Sequence, residues 1–164
     1  MTREHHYELG VRWTGNTGAG TASPRAYSRG HDVTAAGPGT LLGSSDPAFR
    51  GDATRWNPEQ LFVASLAQCH MLWYLGLAAS TGVVVTDYED SPTATMIEES
   101  DGSGQFAEVT LHPRVTVTDT SDRQLAHDLH DRVGDYCFIA RSVSVPLHHE
   151  VRVIQLPGSD AVPG

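Results

Sequence analysis

The chain is short of positive charge: 11 Lys and Arg stand against 20 Asp and Glu, a formal charge of −9. Such a surface repels phosphate backbones and anionic lipid, and no basic cluster offsets it locally, so neither nucleic acid nor a membrane surface is an expected partner. Cysteine is scarce too. Two in 164 residues cannot build a disulfide framework, and in a reducing compartment an idle pair stays as free thiols. Any pairing between them is therefore transient and chemical. No run of 18 or more apolar residues occurs, and the opening MTREHHYELG carries charge and two histidines where a secretory signal needs an apolar core. A cytoplasmic protein is expected. The length suits one domain, residues 1–164 with the ends 1–3 and 157–164 frayed, burying about two thirds of its unfolded surface.

What is present begins with β patterning. Tyr7, Leu9, Val11 and Trp13 alternate with Glu8, Gly10, Arg12 and Thr14, which predicts a strand with one buried face. After the turn-rich Gly15 to Gly18, a second strand is expected between Ala26 and Thr34, then a long loop from Gly37 to Trp56. Long ordered loops commonly carry function.

The strongest local signal is Asn57-Pro58-Glu59-Gln60: Asn as N-cap, Pro at the first helical position, an acid in the first turn and Gln where a capping box wants it. The helix from Leu61 to Ala79 is apolar nearly all round, broken by Ser65, Gln68 and His70, and stops at Ser80-Thr81-Gly82. Such a helix must be buried, and its middle is too polar to span a membrane. Val83 to Tyr88, Ala94 to Ile97 and the alternation through Val109, Leu111, Val115 and Val117 predict a meander of antiparallel strands, with a solvated acidic turn at Glu98 to Asp101. Ser121 with Gln124 predicts a second capping box. Leu125, Leu129 and Val133 then line one face of a helix that Gly134 ends, and a last strand holds Leu147, His149, Val151 and Val153 inward.

Three features bear on chemistry: the NPEQLF helix start, Cys69 ten residues after Glu59, and CFIARS beginning at Cys137. The stretch NPEQLFVASLAQC resembles the helix motif of the OsmC/Ohr family, in which a peroxide-attacking Cys follows Asn-Pro-Glu, and CFIARS resembles that family's second-cysteine segment. The order of β, apolar helix, β, helix, β matches as well. The resemblance implies an α+β fold, antiparallel sheets wrapped around a long buried central helix, in an intertwined homodimer. It further implies reduction of organic hydroperoxides, with Cys69 oxidised to a sulfenic acid, Cys137 resolving it as a disulfide, and a dithiol reductant of lipoyl or similar type recharging the pair, without metal or other cofactor. Glu59 matches the motif's acid, and the activating Arg is carried over to Arg50, with Arg29 and Arg55 as rivals.

The residues argue some of this directly. Only a thiolate attacks a peroxide oxygen. Cys69 lies twelve positions past the N-cap, roughly 18 Å along the axis, where the dipole has faded, so it needs a nearby cation. Glu59 and Cys69 are roughly 15 Å apart along one straight helix, too far for contact. Phe62, Ser65, Leu66, Leu72, Trp73 and Gly76 share the Cys69 face, an apolar lining suited to an organic hydroperoxide, whereas His70 points about 100° away.

Blander readings stand beside these. A buried Cys is usually a small core hydrophobe, and an acid in a helix first turn is favoured by the dipole whatever the chemistry. Nine histidines suggest metal, and Cys69, His70, Cys137 and His148 or His149 supply the ligand types, but no CxxC or HxxxH spacing supports a site. The alternative function from another class is a non-catalytic dimeric protein of the same fold that binds a small molecule or senses oxidation.

Overall fold

The structure, a computed structural model, describes residues 2–158; Met1 and most of the tail expected to fray lie outside the described residues. The chain forms two compact units, Met1–Phe62 and Val63–Gly164.

In the first unit β1 (Gly10–Trp13), β2 (His31–Thr34) and β3 (Leu41–Gly43) make an antiparallel sheet in the order β1-β2-β3. β1 is shorter than the alternation predicted, and its expected buried face is open, with Tyr7 86% and Val11 72% exposed. Within this unit the described residues supply no long element to cover that sheet. The expected loop from Gly37 to Trp56 contains β3 and a 3₁₀ turn, Pro47–Phe49, whose start is capped by Asp46 accepting the Ala48 N–H at 2.8 Å. Backbone bonds from Ser44 N–H to Trp56 (2.8 Å) and Trp56 N–H to Leu42 (3.1 Å) return the chain to β3 just before the helix begins.

Helix α1 (Pro58–Thr81) starts as its sequence predicts. Asn57 Oδ1 accepts the Gln60 N–H at 2.7 Å, Gln60 Oε1 accepts the Asn57 N–H at 3.3 Å, and Asn57 Nδ2 donates to Asp46 at 3.3 Å. It stops at Gly82, whose φ of 83° only glycine adopts without strain, and Val83 N–H closes back on Ala78 C=O at 3.0 Å.

The second unit adds β4 (Val85–Glu89), β5 (Thr93–Glu98), β6 (Gly104–Leu111), β7 (Arg114–Val117), α2 (Arg123–Val133), β8 (Leu147–His149) and β9 (Arg152–Gln155). Here the expected meander needs correction: its strands do pair antiparallel, but β4 with β7 and β5 with β6 in separate sheets rather than as one sheet in chain order. The sheets run β4-β7-β9 and β5-β6-β8, and β8 and β9 pair with their neighbours in parallel, so both are mixed. The predicted single last strand is two strands in different sheets. Pro113, which has no N–H to extend a ladder, breaks β6 from β7, and Glu150-Val151 makes the matching break opposite, through Glu150 N–H to Leu111 and Arg152 N–H to Pro113. The second N-cap is Asp122, one residue later than predicted, accepting from Gln124 and Leu125 N–H. Ser121 instead turns inward to accept the Val84 N–H at 3.0 Å.

The core joins Tyr74 and Ala78 of α1 to Ala126, Leu129 and Val133 of α2 and to Val115, Val117 and Val153 of the β4-β7-β9 sheet. Only one stripe of α1 is fully buried, Leu66, His70, Tyr74 and Ala78 at i, i+4 spacing, so the expectation of burial all round fails within one chain; Leu72 is 65% exposed. By length and composition α1 does meet the test for a membrane-crossing helix, against the sequence reading. A core helix passes the same test, and the buried stripe packs on protein.

Replacing Asn57 by Ala removes a cap acceptor and is expected to cost about 1 kcal/mol, seen as a lower urea midpoint with an unchanged slope, whereas Asn57→Ser retains most of it.

Candidate functional site

Both cysteines belong to the second unit. Cys69 is half-buried in α1, flanking the buried stripe. Cys137 follows α2, where Gly134 ends the helix and the N–H groups of Tyr136 and Cys137 both reach Val133 C=O at 2.9 Å, turning the chain tightly back. That turn points the Cys137 thiol into the core, where it is 2% exposed and close enough to Cys69 for the two thiols to perturb one another. Both are free thiols.

Burial, then the neighbouring Cys69 side chain, pushes the Cys137 thiol up to about 11, against the pull of the Ala140 N–H (3.4 Å from Sγ) and the Ile139 N–H. At neutral pH Cys137 is accordingly protonated and a poor nucleophile.

Aromatic rings flank the pair. Trp73, one turn beyond Cys69, stacks on Tyr136 with centroids 5.3 Å apart and meets Phe138 edge-on at 5.6 Å. The two neighbours of Cys137 in sequence thus close on the residue one turn from Cys69. The sequence reading placed Trp73 on the Cys69 face and Phe138 in the second-cysteine segment but did not name Tyr136; the signal was the aromatic on either side of the second cysteine. Of the other residues assigned to the Cys69 face, Leu66 is fully buried and Leu72 is open.

His70 has a defined place. Its Nε2 lies 2.8 Å from His130 Nδ1, one ring donating and the other accepting, and His149 packs 4.5 Å away, centroid to centroid. His130 stacks on Tyr74 at 3.9 Å, and the Tyr74 hydroxyl donates to Ala126 C=O at 3.0 Å. The sequence reading did not name His130; the signal was its place on the buried face of α2, where Ala126, His130 and Val133 repeat at helical spacing with Leu129. Desolvation first, then neighbouring imidazoles, pushes His70 and His130 down to about 3. Among the described residues no group of three or more His, Cys, Asp and Glu is arranged to hold a metal ion.

In the first unit Glu59 sits in the first turn of α1 with Oε2 buried and unpartnered, while Arg50 is exposed with φ 66° at the end of the 3₁₀ turn. Among the described residues no ion pair joins Glu59 to Arg50, Arg29 or Arg55; Arg55 faces Asp52 at 3.7 Å.

Fold and site together define a dithiol protein on an α+β scaffold. The family model described as OsmC-like protein matches residues 51–152, and the chain belongs to that family. An OsmC-like protein of unknown function from Vibrio cholerae is 28% identical, with a TM-score of 0.82 over 90% of this chain and 99% of that one. The organic hydroperoxide resistance protein OhrB of Bacillus subtilis has the same fold at 19% identity (TM-score 0.61, 91% and 98% covered). So does an organic hydroperoxide resistance protein from Elizabethkingia anophelis, at 16% identity (TM-score 0.64, 94% and 100% covered). No curated protein matches the chain.

Two outcomes follow. Iodoacetamide at pH 7 labels Cys69 before Cys137, read by peptide mass spectrometry. Because unfolded His residues titrate near 6.5 and the buried pair near 3, the unfolded chain binds more protons between those values, and stability falls as pH drops from about 6.5 toward 3. The slope reaches about 1.4 kcal/mol per pH unit per histidine, and His70→Leu/His130→Leu flattens it in urea titrations across that range.

Proposed function

We propose that the protein is a thiol peroxidase that reduces organic hydroperoxides to alcohols, with Cys69 attacking and Cys137 resolving. The observation that carries this reading is the placement of the two free thiols beside one another, since a sulfenic acid formed on Cys69 would have its resolving sulfur close at hand. The Cys69 thiolate takes the terminal peroxide oxygen, the O–O bond breaks, and the alkoxide leaves as alcohol after gaining a proton. The Cys137 thiol then displaces the sulfenic hydroxyl as water, giving a disulfide. Two electrons pass from the dithiol to the peroxide, and an external dithiol returns them. No metal or bound cofactor enters either step.

The raised Cys137 thiol favours this division of roles, because at about 11 it stays protonated while the peroxide reacts. The Trp73, Tyr136 and Phe138 rings favour an organic peroxide over hydrogen peroxide. Relatives of the same fold named organic hydroperoxide resistance proteins point the same way. Glu59 and Arg50 are proposed to activate Cys69, with Arg29 and Arg55 the other candidates. A homodimer is proposed to cover the open apolar side of α1 around Leu72, in a cytoplasm that supplies the reductant.

The test is consumption of cumene hydroperoxide with dihydrolipoamide or a monothiol as reductant. Wild type cycles with the dithiol; Cys69→Ser is inactive; Cys137→Ser oxidises once and stalls with the dithiol. Glu59→Gln and Arg50→Gln each lower kcat/KM by about tenfold or more, as expected for loss of one charged hydrogen bond. Wild type that oxidises once without cycling contradicts the peroxidase and favours a sensor.

A further inference from the structure

The chain has no lysine, and three of its 11 arginines, Arg29, Arg50 and Arg55, line one cavity of about 220 Å³ within the first unit. In a protein of net charge −9 that is a local reversal of sign. The guanidinium fork is the side chain best matched to oxygens of a phosphate or carboxylate.

The lining is ordered rather than merely charged. Arg29 is held by its Nη1, which donates to Pro24 and Tyr27 carbonyls at 2.8 Å each, with the guanidinium 4.3 Å over the Tyr27 ring. Arg55 is tethered on one side, Nε lying 3.7 Å from Asp52, but its Nη1 is buried without a hydrogen-bond partner among the described residues. A buried donor atom left unmatched costs stability even where the rest of the side chain is part-exposed, and a ligand oxygen would relieve it.

Where that oxygen would go is marked by Gly30. A Cβ built there would lie 3.4 Å from Ser28 Oγ, 3.5 Å from Thr14 Oγ1 and 3.6 Å from Arg55 Nη1. Three polar atoms thus converge over the glycine's open side. Ser44, fully buried on the same lining, accepts the Asp52 N–H at 3.0 Å and keeps its own proton to donate. Asp52 cancels one of the three positive charges, and its Oδ1 is turned to the Thr54 N–H and hydroxyl at 2.9 and 2.6 Å. Two positive charges remain, matching a dianion. The cavity has room for such a group and several waters, at about 30 Å³ each.

We infer that this cavity binds a small tetrahedral oxoanion of the phosphate or sulfate class, gripped by Arg55 Nη1 and the Thr14 and Ser28 hydroxyls in the field of Arg29 and Arg50. The inference does not rest on peroxidase activity, because its readout is binding.

The test titrates the full chain with inorganic phosphate at constant ionic strength, by calorimetry and by unfolding midpoint, with sulfate and acetate in parallel. Phosphate and sulfate are expected to bind one per chain and raise the midpoint, with acetate about tenfold weaker or worse. Gly30→Val pushes carbon among Ser28, Thr14 and Arg55 while keeping every charge, and weakens phosphate about tenfold or more. Arg55→Gln does the same should Gly30→Val not fold. Arg123→Gln, on α2, leaves phosphate affinity unchanged. The inference is overturned if wild type binds no phosphate, if acetate binds as tightly, if Gly30→Val and Arg55→Gln bind like wild type, or if Arg123→Gln weakens binding as much as they do.

Discussion

The second unit depends on one packing contact, His70, Tyr74 and Ala78 of α1 laid against Ala126, Leu129, His130 and Val133 of α2 and the β4-β7-β9 sheet. Two directional bonds set its register: Tyr74 to the Ala126 carbonyl, and His70 to His130. Apolar burial alone would tolerate a slip along the helix. A hydroxyl and an imidazole in a dry interface do not, because a shift of one residue leaves buried donors unmatched.

That register has a chemical result. Cys69 and Trp73 flank the stripe and are carried with it, and the tight turn after Gly134 delivers Cys137, Tyr136 and Phe138 to the same place. The low dielectric that makes the histidine pair neutral also keeps the Cys137 thiol protonated. One environment therefore distinguishes two otherwise identical side chains, a buried thiol and a half-exposed one.

The first unit works by other means. Its sheet leaves Tyr7 and Val11 open, and its order comes from backbone bonds, caps and pinned arginines rather than from an apolar core. The lining of the cavity is organised by the bonds that Arg29, Ser44 and Asp52 make, and Arg55 Nη1 is a buried donor left for something else.

Local signals were legible wherever the physics is local. The Asn57 capping box, the Gly82 stop, the acidic turn before Gly102 and the alternation of β6 and β7 all depend on residues within a turn or two of one another, and the sequence determined them, along with the two cysteines and the coarse order β, helix, β, helix, β, but not β3 or the division of the last strand. It misread Ser121 for Asp122 because two cap residues stood side by side, and only the tertiary structure put Ser121 under Val84. Strand order was beyond it as well, since period-2 alternation says which face a residue takes and nothing about which strand lies beside it or in which direction. The meeting of Cys69 with Cys137, of His70 with His130, and of three arginines around Gly30 was likewise decided in three dimensions. Contacts between residues distant along the chain follow from how elements pack, and that is a property of the whole core rather than of any stretch within it.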